Sequence, residues 1–244
     1  MEYDGTDFAG SQAQPGRRTV HGELEAALTR LSDGRRVRVD AAGRTDAGVH
    51  ATGQVIAFDL SRRMPVRELA RALDALLPVD VSVHAVKRVA ADFQPRYAAR
   101  YREYRYTVWN GPRSPLRERT ALGVREPLDV IAMAEAAQAL IGRHDFTGFG
   151  GGGRQPIRTV YAIRVRRQGR TITIEVVGDS FLRQMVRSIV AALIRVGLGT
   201  ATAEQVAAAL ASPRRAFAGA VAPPQGLCLR RVVMGRAATD EDGR

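Results

Sequence analysis

The chain has 244 residues, 45% of them hydrophobic and 25% charged, which is the make-up of an ordinary globular protein able to bury a core. No apolar run approaches the ~20 residues of a membrane span and no signal-peptide pattern opens the chain. The lone Cys228 excludes an internal disulfide, so a reducing, cytoplasmic compartment is expected.

A net charge of +12 favours a polyanionic partner, because each neutralised phosphate releases counterions. Lys87 is the only lysine among 37 basic residues, and the arginines are spread along the whole chain. Any nucleic-acid surface must therefore be assembled by folding, although an arginine-rich codon bias would produce the same skew.

Thr19 caps a predicted helix with Val20, Leu24, Ala27, Leu28 and Leu31 on one face, ended by Gly34. Strands are expected over Arg36–Asp40 and Gln54–Leu60. A second helix opens at Pro65, carries Val66, Leu69, Ala70, Leu73, Leu76 and Leu77, and stops at Pro78. Val79–Val89 alternates as a strand. The first part thus reads strand, helix, strand, strand, helix, strand, a ferredoxin-like split βαβ layout.

Arg100–Trp109 alternates strongly and sets Tyr104, Tyr106 and Val108 on one face. Leu128–Ile141 is an alanine-rich helix, and Gly148–Gly153 is a flexible loop. Val160–Val165 and Thr171–Val177 pair as a hairpin around Gln168-Gly169-Arg170. Phe181–Val196 is a predicted helix, Thr202 with Gln205 forms a capping box, and Leu227–Val233 is a last strand. The tail Ala237–Arg244 is polar and expected to be disordered. The α+β domains expected are 1–99 and 100–236, followed by the tail 237–244.

The stretch Gly43-Arg44-Thr45-Asp46-Ala47-Gly48-Val49-His50-Ala51 carries the most chemistry. It sets one carboxylate, Asp46, on a glycine-framed connection between two predicted strands, where a rigid scaffold can present it. Gly43 and Gly48 allow unusual backbone angles and close approach. Arg44 can hold the aspartate ionised or grip a phosphate. On the residues alone, an Asx-turn aspartate that only closes a loop, with Arg44 as a surface charge, is the slightly better reading.

Other chemistries find little support. The four histidines, His21, His50, His84 and His144, show no ligand spacing, so no metal is expected. There is no P-loop and no dinucleotide fingerprint, and no second carboxylate pairs with Asp46 as a glycosidase requires. His50 reads as a loop-orienting residue more than as a base.

The Asp46 stretch resembles the catalytic motif of the TruA-type tRNA pseudouridine synthases. Further landmarks follow in that family's order: Tyr3-Asp4-Gly5-Thr6-Asp7-Phe8-Ala9-Gly10, Thr19-Val20-His21-Gly22-Glu23-Leu24-Glu25, Phe93-Gln94-Pro95-Arg96-Tyr97 with Tyr104-Arg105-Tyr106, His144-Asp145-Phe146-Thr147-Gly148-Phe149, Ser180 to Arg187, and Ala222 to Leu227. Departures are tryptophan replaced by Ser11 and glutamine by His21, which touch the N-terminal loop. The opening motif usually follows several strand residues, so a trimmed first strand or a late assigned start is expected at Met1.

The resemblance implies two ferredoxin-like or RRM-like halves building one mainly antiparallel mixed sheet flanked by helices, with a central cleft. It implies conversion of uridine to pseudouridine in the anticodon stem-loop of tRNA, at positions thirty-eight to forty, without a cofactor, by a homodimer. Asp46 would be the catalytic carboxylate and Arg187 its charge partner. Tyr104 would stack on the base, Leu227 would pack on its other side, and Arg44 would help displace it or hold its phosphate. From pattern alone, Arg183 and Arg187 form an i,i+4 stripe opposite Phe181, Met185, Ile189 and Ala192, which also describes a solvated helix face. Tyr104 would otherwise be a cross-strand core aromatic, and Leu227 an ordinary core leucine. The alternatives are a non-catalytic RNA-binding protein or RNA chaperone on the same fold, and a synthase acting on another RNA.

Overall fold

The computed structural model describes residues 1–151, 155–212 and 221–235. Contacts divide the chain into two units: Met1–Arg100 with the described residues from Leu229 onward, and Tyr101–Cys228.

In the first unit, β1 (Glu2–Tyr3) is followed by α1 (Val20–Leu31). The Thr19 hydroxyl accepts the Gly22 N–H at 3.2 Å, and Gly34, at φ +82°, turns the chain away after the last turn. Next come β2 (Asp40–Ala41), β3 (His50–Ala51), β4 (Ile56–Ala57), α2 (Val66–Leu76), β5 (Val81–Ser82) and the short α3 (Pro95–Ala98). β1 lies between β5 and β3, antiparallel to both. Leu24 and Leu28 of α1 and Leu73 of α2 are fully buried, each worth roughly 1.5–3 kcal/mol of apolar transfer.

Three sequence expectations change here. β2 and β4, the strands expected to flank Asp46, are only two residues each and pair with one another in a separate ribbon. The strand that follows the Asp46 loop into the main sheet is β3. Val37 and Val39 are buried, but the Val37 N–H donates to Thr29 Oγ1 and the Val39 N–H to Glu25 Oε1. Their alternation therefore records packing against α1, not a ladder. The long strand expected over Val79–Val89 shrinks to β5, because its partner β1 offers two residues; Val79 and Val89 are exposed.

In the second unit, β6 (Ala99–Asn110), whose first two residues still belong to the first unit, pairs antiparallel with β10 (Thr171–Gly178), and β10 with β9 (Ile157–Gln168). The β9–β10 turn is Gly169-Arg170, with Gly169 at φ +58°. β7 (Leu122–Val124) runs parallel to β6, and β8 (Gly142–Asp145) antiparallel to β9. Tyr104, Tyr106 and Val108 share a buried face with Ile172, Ile174 and Val176. The helices α4 (Val130–Gln138), α5 (Met185–Gly197) and α6 (Ala203–Ala208) pack together, and α4 also packs on β9. Thr202 and Gln205 close the capping box on α6.

The last strand, β11 (Leu227–Met234), starts in the second unit and ends in the first, where the Leu229 carbonyl accepts the Thr52 N–H at 2.9 Å. Both units are thus α+β, with mainly antiparallel strands flanked by helices, as the sequence indicated.

The predicted helix over Phe181–Val196 begins four residues late. Gln184 takes a left-handed conformation at φ +63°, and the chain from Asp179 to Gln184 lies outside the helix. The tail Ala237–Arg244 and Gly152–Gly153 of the glycine loop lie outside the described residues. No helix among the described residues is long and apolar enough to cross a membrane.

Candidate active site

Asp46 sits half-buried between β2 and β3, on a loop whose shape follows from its residues. The Asp46 carbonyl accepts the Val49 N–H at 3.2 Å, closing a four-residue turn. Gly48 occupies its third position at φ +76°, the type II geometry that a side chain resists. Gly43 differs from its expected role: its φ is not positive, and an added Cβ would meet nothing within 4 Å. Arg44 is exposed, whereas Thr45 is buried.

The residues before Asp46 are held at several points by distant groups. The Thr45 N–H donates to Ser11 Oγ at 2.9 Å, and the Ser11 N–H donates to the Thr45 carbonyl at 3.1 Å. Thr45 Oγ1 lies 2.8 Å from the Tyr3 hydroxyl. Gln54 Nε2 donates to the Gly43 carbonyl at 2.9 Å. At the far end of the loop, His50 Nδ1 accepts the Gly5 N–H at 3.0 Å. Asp4 Oδ1, which accepts the N–H and hydroxyl of Thr6, lies 3.1 Å from the same nitrogen. The departure at Ser11 therefore reaches the aspartate motif itself, since its hydroxyl grips Thr45, and the Ser11 carbonyl accepts the His21 N–H at 2.9 Å.

His21 is buried, and its Nε2 has no hydrogen-bond partner among the described residues. Burial pushes its pKa below the usual 6.5, the Arg44 charge adds to that, and the carboxylates of Glu25 and Asp40 oppose it. The fold thus favours the neutral ring. As pH falls through 6.5 the unfolded chain takes up this proton before the folded one, so stability is lost until the lower folded pKa is passed. We expect denaturant midpoints to drop between pH 7.5 and 5.5, and to drop less for His21→Gln. Equal pH dependence in the two proteins would contradict this.

The second unit gathers the other singled-out side chains around Tyr106. Tyr104 and Tyr106 point to one face of β6 and are buried. The Phe181 ring meets Tyr104 edge-on, with centroids 5.3 Å apart. The Tyr106 hydroxyl donates to the Pro223 carbonyl at 2.8 Å, and burial raises its pKa far above the ordinary phenol value. A Cβ on Gly226 would lie 2.5 Å from the Tyr106 ring, so only glycine lets the segment before Leu227 close on it. Leu227 is buried at the start of β11.

Arg187, on α5, donates from Nε to the Ala222 carbonyl at 2.7 Å and is half-buried, near enough to Tyr106 for its charge to act on the hydroxyl. This corrects the solvated-stripe picture. Arg183 is exposed and precedes the helix, so the two arginines do not form a helical i,i+4 pair.

Tyr104, Arg187 and Leu227 therefore belong to one unit, and Asp46 and Arg44 to the other. Sequence reasoning missed Ser11, Tyr3 and Gln54 behind the Asp46 loop, and Phe181 and Tyr106 beside Tyr104. Among the described residues no group of three His, Cys, Asp or Glu side chains could hold a metal.

The profile of a family described as tRNA pseudouridine synthase matches residues 1–98 and 136–233. Asp46, Arg44, Arg187 and Leu227 fall inside the matched stretches, and Tyr104 falls between them. The chain is 45% identical over 236 residues to the tRNA pseudouridine synthase A of Geobacter sulfurreducens, covering 95% of this chain and 96% of that protein. It is 44% identical over 231 residues to the tRNA pseudouridine synthase A of Halalkalibacterium halodurans, covering 93% and 88%. For the protein of the same name from Myxococcus xanthus, identity is 45% over 237 residues, covering 95% and 89%.

Proposed function

The chain belongs to the tRNA pseudouridine synthase family, and on that premise we propose that it isomerises uridine to pseudouridine in the anticodon stem-loop of tRNA, at positions thirty-eight to forty, with Asp46 as the reacting carboxylate. The observation that carries this reading is the Asp46 loop: a half-buried carboxylate on a turn whose preceding residues are held from β1, from the segment before α1 and from Gln54.

The reaction breaks the N1–C1′ bond, rotates the uracil and joins C5 to C1′. The C5 proton leaves and N1 gains one, so nothing is oxidised or reduced and no cofactor is required. One ionised carboxylate serves, as a nucleophile or as the group that stabilises and deprotonates the detached intermediate. Keeping it ionised while partly desolvated calls for a cation, the role we assign to Arg187. Tyr104 stacks on the base and exchanges a proton near it, and Leu227 packs on the opposite side. Arg44 helps extrude the base or grips its phosphate; extrusion costs roughly a few kcal/mol, offset by phosphate contacts from the arginine-rich surface. We place the enzyme in the cytoplasm, as a homodimer with one tRNA spanning both subunits.

The test is direct. Purified protein, stripped of nucleotides and treated with a chelator, should form pseudouridine in a tRNA transcript at those positions and restore it in tRNA from a deletion strain. Activity that depends on added metal beyond its effect on tRNA folding, or pseudouridine that persists in the deletion strain, would count against the proposal.

A further inference from the structure

We propose that Ser11 is a positioning residue for pseudouridine formation, acting through the backbone of Thr45 to set the Asp46 carboxylate in place. The inference rests on the reading of Asp46 as the reacting group. Ser11 is completely buried. Its hydroxyl oxygen accepts the Thr45 N–H at 2.9 Å while its own N–H donates to the Thr45 carbonyl at 3.1 Å. The two bonds clasp Thr45 on both sides of its Cα, fixing the direction in which the chain enters Asp46.

The clasp is anchored in turn. The Ser11 carbonyl accepts the His21 N–H at 2.9 Å and the Gly10 carbonyl accepts the Val20 N–H at 3.3 Å, so the pair is tied to the first turn of α1. That turn is itself capped by Thr19 and buried through Val20 and Leu24. From the other side, the Tyr3 hydroxyl reaches Thr45 Oγ1. A rigid helix end and a sheet strand thus converge on the residue preceding the carboxylate.

Removing the Ser11 hydroxyl strands the Thr45 N–H in a dry site, and a buried donor without an acceptor moves to find one. A shift of about 1 Å in a reacting group costs on the order of 100-fold in rate. Binding of tRNA, which depends on dispersed surface arginines, has no reason to change.

The test uses full-length protein and whole tRNA under single-turnover conditions, with rates scaled to the folded fraction. For Ser11→Ala we expect the rate constant to fall about 10- to 100-fold while tRNA affinity stays within about two-fold. A merely structural hydroxyl would lower the melting temperature and leave the rate per folded molecule unchanged, and that result overturns the proposal. So does a loss confined to affinity. If Ser11→Ala does not fold, Tyr3→Phe removes the outer bond to Thr45 Oγ1 together with the 3.4 Å bond from Gln54 Nε2, and should slow the rate about 3- to 10-fold at constant affinity; an unchanged rate there is equally fatal.

Asp46→Asn, assayed in parallel, separates the two layers. If it retains turnover, the reading of Asp46 fails and Ser11 falls with it. If it is inactive and Ser11→Ala is normal, only the role of Ser11 is lost.

Discussion

Asp46→Asn is expected to abolish pseudouridine formation, lowering turnover at least ~10³-fold while tRNA affinity stays within a few-fold. The amide keeps the size of the side chain and removes the charge. The turn is closed by the Asp46 carbonyl and shaped by Gly48, both of which the substitution retains. Asp46→Glu keeps the charge and displaces it by about one methylene, so a drop of about 100-fold is expected from misplacement alone. Near-normal turnover of Asp46→Asn would remove the residue from the reaction and return it to an ordinary turn, leaving an RNA-binding protein on this fold as the better account.

The parts of the fold that were legible in the sequence are those decided by local chemistry. Thr19 caps α1, Thr202 and Gln205 box α6, and Gly169 turns the β9–β10 hairpin because each needs only its immediate neighbours. Tyr104, Tyr106 and Val108 share a buried face because a two-residue period admits no other arrangement. Val37 and Val39 show where locality ends. Their alternation is real, but side chains of α1 satisfy their N–H groups, and no pattern reveals which partner a donor will choose.

The site divides in the same way. The Asp46 loop could be singled out only through its resemblance to a family motif, because on the residues alone a loop-closing turn aspartate reads at least as well. Its supports could not, since Ser11 lies 34 residues from Thr45 and Tyr3 lies 42 from it. A helical wheel misjudged Arg187 for a related reason. It assumed a helix running through Phe181, whereas the left-handed Gln184 starts the helix later and leaves Arg183 outside it. The contact that defines Arg187, with the Ala222 carbonyl, comes from 35 residues further along the chain.

Arg187→Ala separates chemistry from binding among the arginines. If Arg187 keeps Asp46 ionised, its loss should lower turnover on the order of 100-fold, the usual cost of deleting one preorganised charge stabiliser. The salt dependence of tRNA binding should hardly change, because a half-buried guanidinium whose Nε is bonded to the Ala222 carbonyl is poorly placed to meet phosphates. An arginine on the RNA backbone behaves in the opposite way, reducing the slope of log affinity against log salt by about one unit per contact. Arg44, exposed beside Asp46, is the informative comparison: Arg44→Ala should reduce that slope, and any fall in turnover should accompany it. Removing Arg187 also leaves the Ala222 carbonyl without this donor, so Arg187→Lys is measured alongside. The lysine keeps the charge but not the planar Nε geometry, and should recover part of the turnover. Normal turnover in Arg187→Ala would make that arginine a strut for the segment before β11, and Asp46 would need another cation to hold its charge.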